Sequence, residues 1–219
     1  MIWMPKMEKA VRDLRFLLNH GYRSDSAVNF ISNHYRLHLK ERHLLARCVF
    51  SRHEVAAHRR KTVRTGAVRG KWLGIDGYNV LITVETILMG KQVILCDDGY
   101  IRDLRAIFGK YRAGPATSRA ISTIVQAAAN ARPRETVVLF DKPVSHSGEL
   151  SADIRARLKI AGLDGDSLAV GGVDMKLRDF DVVASSDRAV IERAKAVWSL
   201  SAEILKTNKA RILDLKDFK

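Results

Sequence analysis

Three short apolar runs, each leading into an aspartate, constrain this chain more than any other feature. They are Trp72–Ile75 before Asp76, Thr136–Phe140 before Asp141, and Asp181–Ala184 leading through Ser185 and Ser186 to Asp187. Short runs rich in β-branched and apolar residues suit strands buried on both faces. Helical periodicity intervenes, from Ser118 to Ala131 and from about Gly148 to Ile160. Such alternation predicts an α/β fold, a mostly parallel, doubly wound sheet flanked by helices. Ligands of open α/β sheets bind beyond the carboxyl ends of the strands. Asp76, Asp141 and Asp187 are therefore expected to converge there if their strands are neighbours.

The remaining pattern predicts strands at Gln92–Cys96 and Ser167–Val170, and helices at about Ile101–Phe108 and Arg188–Val197. Residues 79–89 fit either a strand or a helix, and GGVDMKLRDFD, residues 171–181, reads as a loop or short hairpin. Residues 6–65 read as almost entirely helical, because apolar positions such as Val11, Leu14 and Leu18 recur in steps of three and four. Ser51 with Glu54 has the spacing of a capping box. Thr65, Gly66 and Gly70 then loosen the chain. The expected organisation is a small basic all-helical module, residues 1–68, followed by an α/β domain, residues 69–219.

Charge follows that division. The formal net charge is +14, and residues 1–70 carry 15 Lys and Arg against 5 acids, while residues 71–219 carry 23 against 19. A polyanion fits this asymmetry, since neutralising phosphates releases counterions. Charge alone also fits DNA or an anionic membrane surface. The strongest basic patch is His58, Arg59, Arg60 and Lys61, with Arg52, Arg64, Arg69 and Lys71 nearby, just upstream of Asp76. The two cysteines, Cys48 and Cys96, lack a metal-type pairing and suggest free thiols in a reducing, cytoplasmic setting. No apolar run is long enough to span a bilayer, so no transmembrane segment is expected. A homodimer is compatible with the sequence, which does not fix the oligomeric state. His38, His43, Cys48 and His53 miss the spacing of a zinc site. No dinucleotide fingerprint, P-loop or nucleophile elbow is present.

Gathered carboxylates repel one another unless cations neutralise them. Asp76, Asp141 and Asp187 therefore suggest Mg²⁺ or Mn²⁺, with Asp97 or Asp98 as a fourth acid and Asn79 orienting Asp76 or a bound water. Glu149, Asp153 and Asp174 are further acids that could complete the shell. Such metals activate water and stabilise a departing oxygen. The plainer alternative is that each Asp after a strand forms a turn or caps a helix, with Asp187 or Ser186 as the cap before RAVIERAKAV. In DKPVSHSGEL, Lys142, Ser145, His146 and Ser147 precede a helix and could seat a phosphate, or simply cap it.

IDGYNVLITVE, residues 75–85, CDDGYIRD, residues 96–103, and DKPVSHSGEL, residues 141–150, resemble an uncharacterised family found in archaea and bacteria. The α/β part more distantly resembles PIN-like nucleases of the NYN branch. IDGYN matches the first-strand motif at Asp76 and Asn79, VLFD a later strand-end acid at Asp141, and SSDR the terminal acidic motif at Asp187. The resemblance implies a PIN-like doubly wound fold and metal-dependent hydrolysis of RNA phosphodiesters, which favours RNA over DNA. VDMKLRD, residues 173–179, stands where that group carries a helix-borne acidic pair. Two other functions fit the same residues: a noncatalytic RNA-binding or assembly protein, and a small-nucleotide phosphohydrolase.

Overall fold

The computed structural model describes residues 5–105, 111–142 and 147–218. Four helices open the chain: α1 (Pro5–Asn19), α2 (Ser24–His34), α3 (Leu39–Cys48) and α4 (Arg52–Lys61). The expected capping box starts α4, with the Glu54 amide donating to Ser51 Oγ at 3.2 Å and the Ser51 amide donating to Glu54 Oε2 at 2.9 Å. Met7, Val11, Leu14 and Leu18 form the buried stripe of α1 and pack against Leu44, Leu45 and Cys48 of α3.

The main sheet is entirely parallel and has six strands. Its order is β1 (Thr62–Val63), β8 (Val197–Trp198), β7 (Val182–Ala184), β2 (Trp72–Asp76), β5 (Glu135–Asp141), β6 (Gly165–Val170). From β2 the chain winds outward through β5 and β6, then returns to the other side of β2 as β7 and β8. The direction reverses between β2 and β7, where such sheets open a crevice at their carboxyl edge.

Strand periodicity divides the core between the two faces of this sheet. Leu73, Ile75, Val138 and Phe140 face α5 (Gly77–Leu88), α6 (Thr117–Ala131), α7 (Ser147–Ile160) and α10 (Leu200–Leu205). Val137, Leu139 and Val183 face α8 (Val173–Leu177) and α9 (Arg188–Arg193). Two glycines permit close approach. A Cβ on Gly74 would lie 2.7 Å from Phe180, and one on Gly77 would lie 2.6 Å from Phe140.

A second sheet accounts for the main departures from sequence expectation. Strand β3 (Gln92–Leu95) pairs in parallel with β9 (Arg211–Asp214) and antiparallel with β4 (Ile101–Arg102). The helix expected over Ile101–Phe108 is thus replaced at its start by β4, because the Asp98–Gly99 turn folds the chain back on β3. Ile94, Cys96, Leu215 and Phe218 lie in the same core as α1–α3, so this sheet packs on the helical segment. The helix expected over Arg188–Val197 ends at Arg193, and its last residue, Val197, belongs to β8. Residues 171–181 contain α8 rather than a hairpin, and residues 79–89 resolve mostly as α5. Among the described residues no helix is long and apolar enough to cross a membrane.

Candidate functional site

Asp76, Asp141 and Asp187 do meet at one edge. β2 lies between β7 and β5, with Ile75 opposite Ala184 and Asp76 opposite Leu139. The three aspartates, Asn79, Asp103 and Asp174 line a crevice of about 370 Å³ at the switch between β2 and β7. Its frame is a clasp between the two strand-end motifs. Ser185 Oγ donates to Asp76 Oδ2 at 2.7 Å, and the Ser186 amide and hydroxyl donate to Asn79 Oδ1 at 2.8 and 3.0 Å. Asn79 therefore fixes the SSDR turn. The sequence singles out Ser186 only as an alternative cap and Ser185 not at all, because hydroxyls before an Asp look like ordinary capping residues.

Most of these acids already have a local task. Asp187 caps α9, accepting from the amides of Ala189 and Val190 at 2.9 and 3.2 Å. Asp103 accepts from Thr83 Oγ1 and the Arg105 amide. Asp97 and Asp98 lie away from the crevice, because β3 belongs to the second sheet. Asp97 binds Arg15 twice, at 2.6 and 3.1 Å, and accepts from the Phe50 amide. Asp98 is buried between His58 and Arg102. Among the described residues, no three His, Cys, Asp or Glu side chains are grouped so that they could hold a metal ion. This corrects the expectation of Mg²⁺ or Mn²⁺ at Asp76, Asp141, Asp187 and Asp97 or Asp98, together with the metal-dependent RNA hydrolysis built on it. The physical reason is that backbone amides, hydroxyls and guanidinium groups meet most of these carboxylates.

Asp76 is the exception in its electrostatics. Burial pushes its carboxyl up to about 7; the Ser185 hydroxyl pulls the other way, and the charges of Asp187 and Asp141 add to the rise. A folded pKa above the ordinary ~3.9 means that the folded state binds this proton more tightly than the unfolded chain. Its contribution to stability is complete below pH ~4 and is lost as pH rises through about 7. Asp76→Asn keeps the acceptor for Ser185 and removes the titration. We expect the variant to match the wild type in urea midpoint near pH 4 and to exceed it near pH 8. A difference independent of pH contradicts this.

The expected phosphate residues are scattered. Lys142 is exposed just after β5. Ser145 and His146 lie outside the described residues, and Ser147 begins α7. Arg59 and Arg60 are exposed on α4, and Arg64 is exposed just beyond β1. Lys61 instead donates to the carbonyls of Ile191 and Glu192 at the end of α9, at 3.1 and 2.5 Å.

A cationic concavity joins parts of the chain far apart in sequence. Arg12, Arg15 and Phe16 of α1, Arg52 and Arg59 of α4, and Lys216 line a groove of about 740 Å³. Its single acid is Asp97, already bound by Arg15. The sequence points to the α4 part of this surface, Arg52 and Arg59, but not to Arg12, Arg15 or Lys216. Only packing of α1 beside α4 and the chain end brings them together.

The family match covers residues 65–203 and corresponds to a domain of unknown function, DUF5616. The chain belongs to that family. Residues 6–61 match a second family described as a protein of unknown function, DUF434. The chain is also 35% identical over 201 residues to the uncharacterized protein MJ0935 of Methanocaldococcus jannaschii, covering 91% of this chain and 96% of the relative. No solved structure matches. Both matched families are described as being of unknown function, and neither match is to a PIN-like or NYN family, which corrects that assignment.

Proposed function

We propose that this protein binds RNA on its basic helical segment, as a noncatalytic RNA-binding protein. The observation that carries this reading is the groove between α1 and α4, where five cationic side chains stand against one carboxylate. Arg52 and Arg59 are exposed, and their guanidinium groups have no partner among the described residues. Among the described residues Arg12 pairs with its neighbour Asp13, at 3.3 Å between exposed groups, a contact of ~0–1 kcal/mol that a phosphate can displace. Cations held open in a concave surface attract a phosphate chain and release its counterions.

Acids are better suited here to shaping the protein than to cleaving the ligand. Asp187 caps a helix and Asp97 holds α1 through Arg15, so neither depends on a metal. Binding is expected to survive removal of divalent ions. A labelled RNA titrated with protein in EDTA should bind with an affinity within twofold of that measured with Mg²⁺. Asp76→Asn should change it no more than that. Loss of binding in EDTA contradicts the reading.

A further inference from the structure

We infer that the helical segment takes single-stranded RNA, with one unpaired base inserted between Phe16 and Phe30; this inference rests on the RNA-binding reading above. The two rings are each 62% exposed and line one slot, so they form a shared apolar patch rather than isolated exposed side chains. They belong to adjacent helices, α1 and α2, and line the same slot with Asp13, Leu17, Ile31 and His34; the Asp13 carboxylate accepts from the Tyr35 hydroxyl at 2.5 Å. The slot measures about 170 Å³, below the ~300 Å³ at which pockets for drug-sized molecules begin. A single planar ring suits it better than a larger ligand.

Each phenylalanine is backed by a histidine one turn later. The Phe16 and His20 rings are 4.1 Å apart, and His20 is tied to the Phe16 carbonyl through Nδ1 at 2.8 Å. Phe30 and His34 are nearly parallel, at 15°, with centroids 6.2 Å apart, and His34 meets the edge of Tyr35 at 4.7 Å. The aromatic plates are therefore held in place.

Phe16 also lines the basic groove, so it forms the ridge between that groove and the slot. A strand running along Arg12, Arg52 and Arg59 can turn one base over this ridge. Charge complementarity selects a polyanion, and the open aromatic faces select one whose bases are unpaired. In a duplex those faces are hidden against neighbouring bases, whereas single strands are bound through cationic tracks and stacking platforms.

The test uses a labelled single-stranded oligouridylate and a duplex RNA of the same length, each titrated with the full chain. Phe16→Ala with Phe30→Ala should weaken single-strand binding at least tenfold and change duplex binding less than twofold. Phe16→Trp should retain single-strand binding. Circular dichroism checks that each variant is folded. Unchanged single-strand affinity in the double variant, or equal loss for both RNAs, overturns the stacking site and leaves the RNA-binding reading in place. Failure of the wild type to bind either RNA overturns both.

Discussion

Arg102→Met is expected to remove a large part of the protein's stability, about 3–5 kcal/mol. The guanidinium is fully buried and bidentate on Asp98, at 2.8 and 2.7 Å, and its Nε donates to the Ser186 carbonyl at 2.7 Å. It also lies 5.0 Å from the Phe50 ring centroid. Asp98 accepts in addition from His58 at 2.9 Å and from the Tyr100 amide at 3.2 Å. Removing the cation would take away the two guanidinium bonds to a buried carboxylate and leave it to His58 and the Tyr100 amide. With total stabilities of ~5–15 kcal/mol, that loss takes roughly a fifth or more of a typical domain's margin.

The same group couples three regions. His58 belongs to α4, Arg102 to β4, and Ser186 to the turn that clasps Asn79 at the crevice. Although burial opposes it, hydrogen bonds from His58 and Arg102 hold the Asp98 carboxyl below its usual value. Its contribution is therefore present above pH ~4 and is lost as pH falls through the lowered folded value. Urea unfolding of Arg102→Met at neutral pH should show the lowered midpoint. A loss under ~1 kcal/mol would mean that the buried pair is not what joins these elements.

Much of the α/β layout was legible because buried parallel strands leave a strong local signature. TVVLFD and WLGID became adjacent strands β5 and β2, and Ser51 with Glu54 formed the expected capping box. Two-residue strands leave almost none. Ile101–Arg102 continued an apparent helical period with Leu104 and was read as helix. Val197–Trp198 was hidden at the end of RAVIERAKAV for the same reason.

The candidate site was legible only in part. The carboxyl-edge rule placed Asp76, Asp141 and Asp187 together. It misplaced Asp97 and Asp98, since a strand-end acid says nothing about which sheet its strand joins. It also could not see that the SSDR hydroxyls and amides would meet Asp76, Asn79 and Asp187 from within the chain. The basic groove was harder still, because Lys216 and Arg12 are separated by nearly the whole sequence.

Reversing charge in that groove should have the largest effect on binding. Arg52 and Arg59 are exposed and lack side-chain partners among the described residues, so Arg52→Glu with Arg59→Glu should leave folding intact. Each cation that neutralises a phosphate on a single strand contributes about −0.7 to the slope of log affinity against log salt. Losing two should flatten the slope by roughly 1.4 and weaken binding at least tenfold at low salt.

That salt titration, run on the wild type and the double variant with single-stranded RNA in EDTA, tests the central claim most directly. The account predicts a steep wild-type line and a flatter, weaker line for the variant. Two superimposable lines, or a wild-type affinity insensitive to salt, would contradict it.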